Sequence, residues 1–190
     1  MLDHFRWLAP IYDRVIPPPD PERLRQVLQL PISGALLDAG GGTGRVAQQL
    51  RSLVGKLVVA DESIAMLRQA QEKELRGVAS TAERLPFGDG SFERVLVVDA
   101  LHHFAHQQQA IHELTRVLAP GGLLVIQEPD LYHPLVKLVA LGEKITLMRS
   151  HFDYPEQIAQ MMTNAGLHAT VARQERATAW VVGEKRVGIG

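Results

Sequence analysis

Cysteine is absent from the 190 residues. That removes disulfides, thiolate metal sites and every mechanism with a cysteine nucleophile. Long apolar runs are missing too: none approaches the about 20 residues that a bilayer-spanning helix needs. Neither charge sign is in excess. The formal net charge is -1, so no strongly basic nucleic-acid face is advertised. Asp3, Arg6 and Asp13 near the start argue against a signal peptide. Internal repeats and low-complexity tracts are lacking, and no G-x-x-x-x-G-K-[ST] loop of the ATPase kind occurs. What remains is 46% hydrophobic and 22% charged residues. That is the balance of one globular domain with a sizeable core, and a cytoplasmic enzyme is the expectation.

Pro17-Pro18-Pro19 separates a short leader from the body. Asp20 reads as an N-cap with Pro21 at the first helical position, an apolar stripe of Leu24, Val27 and Leu28, and Pro31 as the stop. Strands and helices then alternate. Ala35-Leu36-Leu37-Asp38, Leu57-Val58-Val59-Ala60-Asp61, a weak run near Gly77 to Ser80, Val95-Leu96-Val97-Val98 and Leu123-Leu124-Val125-Ile126 are the strands. Helical stripes lie between them at Val46, Leu50 and Leu53, at Ile64, Leu67 and Ala70 behind a Ser63 cap, and at Ile111, Leu114 and Leu118. The apolar runs are continuous, so both sheet faces are covered, as in a parallel sheet. A helix with Ile158, Met161, Met162 and Ala165 stops at Gly166. Runs around His168 to Arg173 and Thr178 to Val182 follow as an antiparallel hairpin. The expected fold is α/β: a doubly wound, mostly parallel, seven-stranded sheet ending in that hairpin.

Asp38-Ala39-Gly40-Gly41-Gly42-Thr43-Gly44 follows the first strand and opens a helix. Glycines there permit a tight turn and a close backbone approach to a ligand. Asp61 closes the second strand, where an acid can accept bonds from both ribose hydroxyls. The pair indicates a nucleoside-containing cofactor. Gly42-Thr43-Gly44-Arg45-Val46-Ala47 satisfies the dinucleotide pattern G-x-G-x-x-A, so an NAD-dependent oxidoreductase is one reading. Asp38 beside the loop opposes it, because a carboxylate repels a pyrophosphate. S-adenosylmethionine has no phosphate and carries an ammonium and a sulfonium, which an acid suits.

Leu37-Asp38-Ala39-Gly40-Gly41-Gly42-Thr43-Gly44 resembles the first motif of the class I S-adenosylmethionine-dependent methyltransferases. Asp61-Glu62-Ser63-Ile64-Ala65-Met66-Leu67 resembles their second, and Ala82-Glu83-Arg84-Leu85-Pro86-Phe87 with Asp89-Gly90-Ser91-Phe92 their third. Asp99-Ala100-Leu101-His102-His103-Phe104 and Leu118-Ala119-Pro120-Gly121-Gly122 complete the set. The small-molecule subgroup related to the ubiquinone/menaquinone biosynthesis methyltransferases is the most similar, and its N-terminal motif resembles Phe5 to Asp13. The resemblance implies a Rossmann-like methyltransferase fold, S-adenosylmethionine as cofactor and a small-molecule acceptor, quinone-like or aromatic. It implies that Gly40 and Gly42 meet the methionine end, Asp38 fixes its ammonium and Asp61 holds the ribose diol. Met66 then packs on adenine, with Glu62, Ala82 and Glu83 alongside. Asp99 lies under the methionine part and Tyr12 closes over the cofactor. Many relatives carry an aspartate before the third-motif alanine; this chain has Thr81.

Methyl transfer is an in-line displacement, and a base is needed only when the nucleophile arrives protonated. His102 and His103, just past the fourth strand, are the candidate catalytic bases; shaping the loop is the other reading for each. His102 and His106, four apart, lack an evident third ligand as a metal pair. Asp99, Glu128 and Asp130 at strand ends could hold magnesium, but acids there often just hold a loop, so no metal is expected. Without cysteine, covalent 5-methylation of pyrimidines is excluded. Without an Asn/Asp-Pro-Pro-Tyr/Phe run, amino-methylation of DNA bases lacks support, and nucleic acid is not an expected partner. The domain divides into an N-terminal helical cap over 1–33, a cofactor core over 34–130, a helical insertion over 131–154 and a last helix and hairpin over 155–190. The insertion carries Leu135, Leu138, Val139 and Ile145 at helical spacing, which suits core packing before an acceptor lid. A non-catalytic cofactor-binding module is a further reading, and oligomeric state is not legible.

Overall fold

The computed structural model describes residues 18–133, 136, 151–173 and 177–188. Tyr12, the rest of the leader motif and most of the 131–154 insertion lie outside the described residues. Seven strands form one sheet in the order β3-β2-β1-β4-β5-β7-β6. They are β1 (Ile32–Ala39), β2 (Val54–Asp61), β3 (Gly77–Ala79), β4 (Phe92–Val98), β5 (Leu118–Pro129), β6 (Leu167–Arg173) and β7 (Thr178–Lys185). The first five pair in parallel; β7 runs antiparallel to both β5 and β6. The expected doubly wound sheet with its antiparallel hairpin is thus the observed one, with β7 inside and β6 at the edge.

The helices are α1 (Pro21–Val27), α2 (Ala47–Leu50), α3 (Ile64–Glu72), α4 (Gln107–Val117) and α5 (Pro155–Asn164). Successive strand residues face opposite sides. Leu37, Val95, Val97, Leu124 and Ile126 therefore join Ile111 and Leu114 of α4 and Ile158 and Met162 of α5. Their neighbours Leu36, Leu96, Val98, Leu123 and Val125 join Leu24 and Leu28, Val46, Leu50 and Trp180 on the other face. Each fully buried side chain of this kind contributes about 1.5–3 kcal/mol, which is why the runs are apolar at every position.

Local signals fix the helix starts. The Asp20 carboxylate accepts the Glu22 N–H, and the Ser63 hydroxyl accepts the Met66 N–H. Three details differ from the pattern in the sequence. α1 ends at Val27 rather than at Pro31: Gln29 takes φ 53°, and the Leu30 N–H reaches back to the Arg25 carbonyl. The Val46–Leu53 stripe is one α turn followed by a 3₁₀ turn over Arg51–Leu53. Ile64 stands exposed at the first position of α3, whose buried face is Met66, Leu67 and Ala70. Among the described residues, no helix is long and apolar enough to cross a membrane.

Candidate functional site

The strand order reverses between β1 and β4, which opens a crevice at their carboxyl ends. The loop after β1 and the loop after β4 flank it, and Asp61 ends β2 beside them. Gly40, Gly42 and Gly44 all have positive φ, at 68°, 55° and 72°. Their surroundings differ. A Cβ on Gly40 would sit 2.7 Å from Ala100 Cβ, and one on Gly44 2.3 Å from Leu75 Cδ1. A Cβ on Gly42 would meet only Asp61 Oδ2 at 3.9 Å and Met66 Sδ at 4.0 Å. Gly40 and Gly44 are thus required by packing of the loop on the body, whereas Gly42 lines open space between Asp61 and Met66.

Three carboxylates converge on this loop. Asp38 is buried, and its Oδ2 accepts no hydrogen bond from a described residue. Burial pushes its pKa up to about 7, and the Asp61 charge adds to the rise; Arg45 and the Ala47 N–H oppose it. Asp61 accepts the Gly42 N–H at 2.9 Å and the Ser63 N–H at 2.8 Å, which anchors the loop to α3. Asp99 follows β4 with φ 51°. It accepts from Arg45 at 2.9 Å and from Gln127 Nε2 at 3.0 Å. Burial raises its pKa first, with Glu128 adding to the rise and Arg45 opposing it.

The crevice therefore brings together Asp38, Gly40, Gly42, Asp61, Met66 and Asp99 of the residues singled out in the sequence. Glu62 stands exposed just past β2. Ala82 is buried, and Glu83 accepts the His106 N–H at 3.0 Å, tying its segment to the start of α4. His102 and His103 sit on a 3₁₀ turn after β4. His102 Nδ1 lies 2.5 Å from Glu128 Oε2, and its ring stacks on Phe152 with centroids 4.4 Å apart. Burial, and secondarily His102, drops the His103 pKa to about 3, so its ring is neutral near pH 7. His106 precedes α4 and shares no helix with His102, so that pair lacks a common face. Among the described residues no three His, Asp or Glu are grouped to hold a metal ion. Asp99, Glu128 and Asp130 each bond protein donors instead. Arg45 was not legible as a site residue. Its signal was its place directly after Gly44, which sends the guanidinium back under the loop to Asp99.

Residues 37–126 match the family described as a methyltransferase domain. The chain is 33% identical over 153 residues to a demethylmenaquinone methyltransferase of Mycolicibacterium vanbaalenii, covering 80% of this chain and 65% of that protein. It is 36% identical over 122 residues to a ubiquinone/menaquinone biosynthesis C-methyltransferase of Stutzerimonas stutzeri, covering 56% and 48%. The chain thus spans about half to two thirds of the length of these relatives. A solved S-adenosylmethionine-dependent methyltransferase of Thermotoga maritima superposes with a TM-score of 0.77 at 21% identity, over 96% of this chain and 98% of that one, a likeness of fold.

The residues of the crevice fit S-adenosylmethionine, the cofactor that the sequence motifs imply. The buried Asp38 oxygen lacks a donor among the described residues, which an ammonium supplies. The space over Gly42 is one that a side chain would fill. Three acids against the Arg45 guanidinium suit a cationic ligand.

Proposed function

We propose that the protein is an S-adenosylmethionine-dependent methyltransferase acting on a small acceptor of the quinone type. The observation that carries the reading is the acid-lined glycine cradle, in which the buried Asp38 oxygen lacks a donor and suits a cation rather than a phosphate. The same carboxylates oppose the pyrophosphate of NAD. The acceptor class is supported by the relatives, whose names specify demethylmenaquinone and the ubiquinone/menaquinone pathway. Electron-rich carbon attacks the electrophilic methyl group, so the reduced quinol is the form expected to react.

In this reading Asp38 takes the ammonium, Asp61 the ribose diol, and Gly40 and Gly42 expose backbone to the methionine end. Met66 and Ala82 pack along adenine with Glu62 and Glu83 at the rim. Asp99 lies beneath, tethered by Arg45. The bound donor supplies a methyl group already activated on a sulfonium. The chain's own part is to orient the acceptor, exclude water and accept a proton, with His102 and His103 as the groups for the last task. The segment 34–130 forms the cofactor core, with 155–190 completing the sheet. A cytoplasmic setting without a nucleic-acid partner accompanies this reading.

Thermal unfolding with ligands tests the cofactor: S-adenosylhomocysteine is expected to raise the melting temperature and NAD to leave it unchanged. The reverse result overturns the reading. Transfer of labelled methyl from S-adenosylmethionine to a short-chain demethylmenaquinol tests the acceptor. Saturable adenosylhomocysteine binding with no transfer to reduced quinones, phenols or amines would assign a cofactor-holding module instead.

A further inference from the structure

Two buried polar atoms without a hydrogen-bond partner among the described residues lie on neighbouring strands. One is Nε1 of Trp180 in β7, the other Oε1 of Gln127 in β5. Trp180 is 1% exposed and Gln127 4%. The two residues are register partners in the antiparallel β5–β7 pair. Their side chains therefore rise from the same face, with Cβ atoms about 4.5–5.5 Å apart. On that face Trp180 belongs to the cluster of Leu123 and Val125 of β5 and Leu24 and Leu28 of α1. An indole N–H only donates, and an amide oxygen only accepts. The pair is complementary, and buried polar groups of folded proteins are paired. A shift of the two side chains, or one water between them, completes the bond. The other end of the Gln127 amide is engaged. Its Nε2 donates to Asp99 Oδ1 at 3.0 Å, and Arg45 Nη2 donates to Asp99 Oδ2 at 2.9 Å.

We propose that Trp180 is a positioning residue of the cofactor crevice: its indole N–H serves Gln127 Oε1 and so fixes the Gln127 amide with its NH₂ toward Asp99, which is held as an acceptor for the methionine end. The inference rests on the methyltransferase reading above. The hydrogen bonds of this chain of groups allow one direction only. Both of its ends, the indole and the Arg45 guanidinium, are donors without an acceptor atom. Turning the amide over would set its NH₂ against the indole N–H and its oxygen against the Asp99 carboxylate. Asp99 thus receives a donor on each oxygen, which favours its charged form. Burial, and then the Glu128 charge of β5, push the other way and raise its pKa. Arg45 of the β1–α2 loop and His102 of the turn after β4 lower it. A carboxylate kept ionised there attracts the cationic cofactor. Through Gln127, a residue of the C-terminal hairpin sets the state of a group in the crevice.

Gln127→Leu keeps most of the side-chain volume and removes both polar atoms of the amide. The chain has two tryptophans, so Trp7→Phe leaves the Trp180 indole as the single ¹H–¹⁵N indole signal. That signal is expected to shift and to exchange faster with water in Gln127→Leu. The ¹³C carboxyl titration of Asp99, assigned by its loss in Asp99→Asn, should move to higher pH in both Gln127→Leu and Trp180→Phe. Affinity for S-adenosylmethionine should fall about tenfold in Gln127→Leu and about threefold in Trp180→Phe, the scale of one lost hydrogen bond. The double variant decides the route. If Trp180 acts through Gln127, adding Trp180→Phe to Gln127→Leu changes affinity by less than about 1.5-fold; a packing role makes the two losses multiply. Multiplying losses, an unmoved Asp99 titration, or an indole signal indifferent to Gln127→Leu would overturn the proposal. Where Trp180→Phe does not fold, the indole signal and the Asp99 titration in Gln127→Leu decide it. If the unmodified protein binds no S-adenosylmethionine, the functional reading fails, and the same two signals still decide the link from Trp180 to Asp99.

Discussion

Asp38 keeps its proton up to about pH 7 because burial disfavours its charge. An ammonium beside it would favour that charge, so cofactor binding is expected to expel a proton near neutrality. Affinity for S-adenosylmethionine is expected to rise as pH rises through about 7, and Asp38→Asn should flatten the slope and weaken binding. Titration calorimetry in buffers of different ionisation enthalpy reads the released proton; a pH-independent affinity would remove Asp38 from the ammonium site. The ligand-free fold follows the opposite trend. The folded carboxyl titrates near 7 against an ordinary value of 3.8, so its contribution to stability is full below 3.8 and lost as pH rises through 7. At Asp61 the chemistry differs, since two backbone N–H groups already depend on it. Asp61→Ala should lose about 1.5–3 kcal/mol of cofactor affinity, with a smaller loss of stability from the freed N–H groups. Calorimetric titration with S-adenosylhomocysteine checks it, and unchanged affinity in the folded variant would mean that the ribose lies elsewhere.

At the scale of elements, the β1–α2 loop uses its glycines for two purposes. Gly42 borders open space, whereas Gly44 presses on Leu75 and Ala70 at the end of α3. Gly42→Val is expected to fold, with about 1–3 kcal/mol of backbone strain from its positive φ, and to lose cofactor binding. Gly44→Val adds a steric clash to the same strain and should unfold at a markedly lower temperature. Thermal melts with and without S-adenosylhomocysteine separate the two; ligand protection of Gly42→Val would show that the loop is not the contact surface. α2 has four residues, too short to present the helix N-terminus that a pyrophosphate uses. The loop therefore works through side-chain acids and exposed backbone.

Across the whole molecule, β7 joins the end of the chain to the centre of the sheet. Among the described strands β6 is hydrogen-bonded only to β7, and Trp180 and Val181 of β7 are buried on opposite faces. Truncation after Arg173 should remove the partner of β6, uncover β5 and loosen α5. A broad, non-cooperative melt is the expected result. A sharp transition with retained S-adenosylhomocysteine binding would show that the rest of the sheet folds without β7.

The sequence by itself determined the strands, their helical partners and the cradle. Apolar runs, glycines and caps act over a few residues, and Asp38 and Asp61 are fixed by the strand ends they occupy. The same local logic missed the end of α1, which a left-handed Gln29 decides, and the brevity of α2. The seating of β7 between β5 and β6 was equally out of reach, because either hairpin strand is apolar enough to pair inward. Arg45 meeting Asp99 across 54 positions, and Glu128 meeting His102 across 26, are contacts between loops at neighbouring strand ends. No periodicity encodes them. Only packing of the sheet brings those ends together and buries them, and that burial shifts Asp38 and His103 so far from their ordinary acidity.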